Sequence, residues 1–318
     1  MVASSLAVVM NRRAGGATRR LVDAARRAAV DLHVTDDAAA ADRVLDALVR
    51  RGIRRIVLGG GDGTIVAGLA AIDRACASAG APTPVVGVLA LGTGNALART
   101  IGARRARPGT IAAALARAAT AAPVEVPMLE VLGRRAPFCG FGVDAQLVAD
   151  ADRVARRLAR LRLRVAPVAR YALSVPLVSM PAFARKVRPE VTVIGRGDVR
   201  QVDGTATPGG VLWTGPCTLA ACATIPYFGF GLRMFAFADA MPGRFQVRAG
   251  DPGLGEIVTS APAAFRGRYR SPRVHDYLCT AVTLRLDRPA PFEIAGDVVG
   301  TYAAVDVALG APARLVAA

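Results

Sequence analysis

Two short glycine-rich runs carry the chemistry open to this sequence. "GGGDGT" (59–64) sets one carboxylate, Asp62, among four glycines, and "LGTGNALAR" (91–99) follows after the next strand-like run. Glycine turns that open into helices offer backbone N–H groups and the positive end of a helix dipole to an anion, phosphate above all. A carboxylate in such a cradle repels phosphate unless it manages something else. The plain reading of Asp62 is an Asx-type turn that caps the following helix. Some solutions are excluded. Lys186 is the only lysine, so no G-K-[ST] phosphate loop exists. The dinucleotide fingerprint G-x-G-x-x-G fails because Thr64 stands where its third glycine belongs, and no acid lies between Gly80 and Leu91 to meet a ribose.

Elements that must position these turns are legible on either side. "LAVVM" (6–10), "LHVT", "RIVLGGG" and "PVVGVLAL" read as strands. Between and after them, helices are expected at 17–30, over "DDAAAADRVLDALVRRG", from Thr64 to about Ser78, after "GTGN" and at 109–119. Strands alternating with helices make a doubly wound parallel α/β sheet, whose ligands sit beyond the carboxyl ends of the strands. After Pro123 the texture changes to short Val-, Thr- and Phe-containing runs broken by Gly, Pro and Asp, as in an antiparallel β domain. The expected domains are therefore 1–123 and 124–318, with the last strand free to return to the first domain. One helix interrupts the second domain, with Val154, Leu158, Leu161, Val165 and Val168 on one stripe ringed by Arg153, Arg156, Arg157, Arg160 and Arg164.

Composition narrows the partners. The chain has 41 Lys+Arg against 24 Asp+Glu, a formal charge of +17, which favours an anionic partner. The arginine-ringed stripe suits an anionic membrane surface, or equally a solvated helix face packed on the β domain. It lacks interleaved aromatics for base stacking, which argues against nucleic acid. Cys76, Cys139, Cys217, Cys222 and Cys279 form no C-x-x-C pair and have only His33 and His275 beside them, so neither zinc nor a disulfide framework is expected. The charge-free run 204–232 holds three prolines and six glycines and reads as strands and turns, not as a membrane span. "MVASSLAVVMNRR" has no basic leader and reads as a first strand. A cytoplasmic protein, peripheral to the inner membrane face, is the expectation.

In this order and spacing, the motifs resemble the diacylglycerol kinase catalytic domain, shared by bacterial lipid kinases, sphingosine kinases and ceramide kinases. "NRRAG" (11–15) stands for the family's Asn-Pro-x-x-Gly, "VEVPMLEV" for its Asp-leading strand and "GFGVDAQLV" for its Gly-Phe-Asp-Ala-Glu segment. "MPGRFQV" and "FEIAGDVVG" stand for Asp-Gly-x-Leu and Asp-Gly-Glu. The resemblance implies an α/β nucleotide-binding domain followed by a β-sandwich, and transfer of the γ-phosphoryl group of ATP, with Mg²⁺, to the hydroxyl of a diacylglycerol or sphingoid-type lipid. It implies that Gly60, Gly61, Gly63 and Thr64, with Gly92, Thr93, Gly94 and Asn95, hold the nucleotide, with Asn11 close by. Asp62 would face Mg²⁺ or the acceptor, Asp297 would be the base, and Asp144 would touch the lipid head. Each has a plainer alternative: Asn95 as a helix N-cap, Asn11 and Asp297 as turn residues, Asp144 as a cap. Val66-Ala67 replaces the family's Asn-Glu, Ala96 its Asp, and Pro242 the Asp of Asp-Gly-x-Leu, so the acidic network is thinned. Two rival functions follow: an NAD kinase, which also carries a GGDGT-like run, or a catalytically silent lipid- or nucleotide-binding module.

Overall fold

The computed structural model of the chain describes residues 6–28, 31–92, 94–143, 145–146, 148–150, 153–154 and 188–318. It forms two compact units: Met1–Met128 with Tyr227–Gly231 and Ala311–Ala318, and Leu129–Pro226 with Leu232–Gly310.

The first unit is wound as its periodicity dictates. β1 (Leu6–Asn11), β2 (Leu32–Thr35), β3 (Arg55–Gly60) and β4 (Val85–Ala90) lie in the order β4-β3-β1-β2, all parallel. Covered on both faces, β4 is buried at every position and β3 at all but its first, which is why both read as unbroken apolar runs. α1 (Arg19–Ala28) and α5 (Ile111–Thr120) pack Leu21, Ala25, Ile111 and Leu115 with Val8, Met10, Val57 and Leu89 into one core. α2 (Ala38–Arg50) and α3 (Asp62–Ala79) pair with each other, burying Leu45, Leu48, Ile65, Leu69 and Ile72. Asp37 caps α2 by accepting from the Ala40 amide at 2.8 Å. α4 (Ala96–Thr100) is a short helix after β4. The chain reaches the sheet once more at its end, where Leu315–Ala317 pair parallel with Val86–Val88.

β1 is the pivot. From it the chain steps to β2 on one side, then crosses to β3 on the other, so the winding reverses between β1 and β3. At such a switch point the loops leaving neighbouring strands diverge and open a crevice at their carboxyl ends. Asn11 ends β1 and Gly60 ends β3, so the glycine turn belongs to that crevice.

The second unit is antiparallel. Its strands are the end of β5 (Val124–Val131), β6 (Arg134–Ala136), β7 (Phe138–Gly142), β8 (Glu190–Gln201), β9 (Ala206–Thr207), β10 (Gly210–Pro216), β11 (Leu219–Ala223), β12 (Phe245–Gly250), β13 (Val274–Ile294) and β14 (Asp297–Ala317) as far as Gly310. β13 organises it: Val274–Cys279 pair with β12, Tyr277–Leu286 with β8, and Phe292–Ile294 with β7. Because β11 joins β12 to β7, β13 closes that layer at both ends. Two short helices, α6 (Leu254–Thr259) and α7 (Ala261–Phe265), precede β13. One buried polar network lies inside this unit. Arg248 donates from Nε and Nη2 to Asp276 at 2.7 and 2.8 Å and from Nη1 to the Met234 carbonyl, while Gln246 donates to Asp276 at 2.6 Å. No helix of the described residues is long and apolar enough to cross a membrane.

Candidate phosphate-binding site

Three loops of the first unit converge at the carboxyl ends of β1, β3 and β4. The turns after β3 and β4 touch backbone to backbone. A Cβ on Gly92 would stand 2.4 Å from the Gly61 Cα, and one on Gly60 would stand 2.4 Å from the Thr64 Cβ, so neither position admits a side chain. The Gly60 carbonyl accepts from the amides of Leu91 (2.9 Å) and Gly92 (3.1 Å), fastening one turn to the other. The loop after β1 joins them: Gly16 N–H donates to the Leu91 carbonyl at 2.8 Å, and Asn11 Nδ2 donates to Thr64 Oγ1 at 3.1 Å. Asn11 Oδ1 also accepts the Arg13 amide at 2.9 Å, so Asn11 is both a turn residue and a link. With Asn11 as its donor, the Thr64 hydroxyl keeps its own proton for another acceptor.

Asp62 answers the question its position raises. It is buried, and its two oxygens accept the backbone amides of Ala96 (2.9 Å) and Leu97 (3.0 Å). Burial pushes its carboxyl above the usual range, while bonds from the amides of Ala96, Leu97, Asp62 and Asn95 pull the other way. Asp62 therefore caps a helix, but α4 on the neighbouring strand rather than its own α3. This frees Asn95, which holds a left-handed backbone (φ 52°) and makes no cap bond. Its side chain instead closes its own turn, accepting the Gly92 amide at 2.9 Å and donating to the Gly92 carbonyl at 2.7 Å. Ala96, where the family resemblance places an acid, is fully buried under this arrangement.

What remains open is the first turn of α3. Its leading amides have no intrahelical carbonyl to bind, and α3 runs 18 residues behind them. Gly61, Gly63, Thr64, Gly92, Gly94 and Asn95 are all partly exposed around it. The arrangement can hold an anion with several oxygens between α3 and the second turn.

Similarity to known proteins runs in the same direction as this geometry. Residues 5–129 match the diacylglycerol kinase catalytic domain. The fold of the whole chain is likewise similar to two solved Bacillus anthracis structures, each assigned as a diacylglycerol kinase. One has 14% identity and a TM-score of 0.62, covering 98% of this chain and 96% of that one. The other has 13% identity and a TM-score of 0.60 over the same shares. No curated protein matches the sequence. The α/β fold with a parallel amino-terminal sheet and later antiparallel strands is thus the diacylglycerol kinase fold.

Of the other expected residues, several lie outside the described residues and one belongs to the second unit. Thr93 and Asp144 lie outside the described residues, as do Arg156, Arg157, Arg160 and Arg164. Arg153 pairs at 2.6 Å with the buried Asp150. Asp297 belongs to the second unit, exposed at the first position of β14. Ala295 (φ 52°) and Gly296 (φ 86°) make the two-residue hairpin turn before it, as Ile294 pairs with Asp297. Pro242 precedes Arg244, which binds Asp198. Sequence reasoning missed Gly16, Arg99 and the segment 227–231. Arg99, in α4, lies over the Gly231 backbone, and the Gly229–Gly231 turn packs on that helix. The glycine spacing "GFG" inside the charge-free run was the available signal.

Mg²⁺ is the metal the family implies. Among the described residues no three Asp, Glu, His or Cys side chains are grouped to hold one. Both Asp62 oxygens are already engaged by amides. The described residues do not by themselves build a Mg²⁺ site.

Proposed function

We propose that the protein is an ATP-dependent lipid kinase, transferring the γ-phosphoryl group to a hydroxyl of a diacylglycerol or sphingoid-type lipid. One observation carries this: the glycine turns after β3 and β4 are fused at the switch point of a doubly wound sheet, with the α3 amino terminus open between them. Phosphoryl transfer is mainly positioning and charge neutralisation, which such a fused amide cradle supplies. The amides of Gly61, Gly63 and Thr64 and the Thr64 hydroxyl hold phosphate oxygens. Asn95 keeps the second turn in shape, and Asp62 holds that turn against the first. Any Mg²⁺ arrives on the triphosphate, since this site does not build a cage for it. In the transfer, the acceptor oxygen bonds to the γ-phosphorus as the β–γ bridge bond breaks, and the hydroxyl proton passes to a base. Asp297 is the proposed base, and Asp144 the proposed contact to the lipid head.

A second reading is nucleotide binding without turnover, favoured by the engagement of Asp62 with α4 and by Ala67, Ala96 and Pro242 at the replaced acidic positions. One assay separates the readings. Purified protein is incubated with γ-labelled ATP, Mg²⁺ and, in separate tubes, diacylglycerol micelles, sphingoid-base micelles or NAD. Label in lipid supports the kinase. Label in NADP reassigns the acceptor, and ATP binding with no labelled product establishes the silent module.

A further inference from the structure

Beyond the phosphate site, a surface of the second unit has two features that point to the same partner. α6 and α7, with the run to Arg273, form an elbow of the second unit that carries exposed apolar side chains and exposed arginines. Val258 is 58% and Phe265 51% exposed, among the most exposed large apolar side chains of the described residues. Arg266, Arg268, Arg270 and Arg273 follow within eight positions, all exposed. Among the described residues no carboxylate forms an ion pair with Arg266, Arg268 or Arg270. The nearby acids are occupied: Glu256 accepts the Tyr269 hydroxyl at 2.8 Å, and Asp251 pairs with Arg188 at 2.5 Å.

The elbow is also held from beneath, so its exposure is a fixed property of the fold. Ala264 and Tyr269 are buried, the Ala264 carbonyl accepts the Arg233 amide at 3.0 Å, and the Arg270 guanidinium stacks 4.2 Å from the Phe237 ring centroid. Burying Ala264 leaves its neighbour Phe265 outward. A soluble protein partner would have to match this face with both acids for the arginines and a pocket for Phe265 and Val258. A lamellar surface with anionic headgroups above hydrocarbon answers both.

We infer that this elbow, α6–α7 and residues 266–273, docks the protein on an anionic lipid bilayer, Phe265 and Val258 entering the headgroup layer and the arginines meeting the phosphates. The inference is independent of the kinase reading, because docking is read without turnover. The test is flotation of the full chain with vesicles of phosphatidylcholine alone, or with 30 mol% phosphatidylglycerol, at about 0.15 M salt. Binding to the anionic vesicles is expected. Arg266→Ala with Arg268→Ala should weaken it about thirtyfold, and Phe265→Ser with Val258→Ser about tenfold. Arg20→Ala with Arg43→Ala, which removes the same charge from the first unit, should cost less than about threefold if the contact is local to the elbow. An equal loss in that control reduces the effect to net charge and overturns the assignment, as does equal binding to neutral vesicles. Failure to bind vesicles, with tight binding of a 20-base-pair DNA duplex lost in the Arg266/Arg268 variant, assigns the elbow to nucleic acid instead. Unchanged thermal unfolding of each variant shows that the fold is not the cause.

Discussion

Asp62→Ala is the perturbation with the largest consequence that can be worked from the structure. It removes the acceptor of two buried amides, Ala96 N–H at 2.9 Å and Leu97 N–H at 3.0 Å, which have no other acceptor among the described residues. A buried donor left unsatisfied costs about 1–3 kcal/mol, so the two together should cost about 2–6 kcal/mol. Part of that is offset, because the buried carboxylate is itself desolvated, which is what raises its pKa. From the middle of that range, a net loss of about 2–3 kcal/mol remains, about 5–10 °C in the unfolding temperature of the first unit. Asp62→Asn should fall between, since its amide oxygen still accepts one N–H while its NH₂ faces the other. A fall in turnover in that variant is therefore accompanied by loosening of the second turn. The raised pKa gives a second readout. The folded protein holds the Asp62 proton more tightly than the unfolded chain, so this residue's contribution to stability falls as pH rises above about 4, the ordinary carboxylate value. Asp62→Asn must lack that pH step. The assay is calorimetric unfolding between pH 4 and 8, with hydrogen exchange at Ala96 and Leu97. Parental stability and protection in Asp62→Ala would refute the cap.

Further outcomes follow from particular contacts. Gly92→Ala forces a Cβ to within 2.4 Å of the Gly61 Cα and should cost about 3 kcal/mol, while Gly15→Ala, with open space at its Cβ, should leave calorimetric stability within about 0.5 kcal/mol. Gly92→Ala should also lose at least tenfold in ATP affinity by titration calorimetry. Arg248→Ala strands Asp276 in the second unit and should cost about 3–5 kcal/mol in urea unfolding. Asp297→Asn should lower kcat about 10²–10⁴-fold with ATP affinity unchanged if Asp297 is the base; an unaltered kcat removes it from that role.

Much of the fold was legible because it is written in local periodicity. "RIVLGG" and "PVVGVLAL" read as buried parallel strands since both faces of β3 and β4 are covered, and "DD" before "AAAA" announced the α2 cap that Asp37 makes. The glycines of the site were legible as turns, but their reason was not: the contact of Gly61 with Gly92 depends on the register that puts Gly60 beside Ala90. Asp62 and Asn95 show the limit most clearly. Local rules make Asn95 the cap of α4, yet Asp62, 34 positions away in sequence, takes those amides and Asn95 folds onto Gly92. Only the pairing of β3 with β4 decides between them. Asp297 rested on a motif that also reads as a turn, and its backbone does sit beside one.

Amide hydrogen exchange with and without saturating MgATP tests the central claim most directly, namely that the fused turns hold the nucleotide's phosphates. Before nucleotide, the Ala96 and Leu97 amides should already be protected, because Asp62 binds them. On adding MgATP, new protection should appear at Gly61, Gly63, Thr64 and the 92–95 turn. Protection confined to other segments, or none at saturation, would contradict the account.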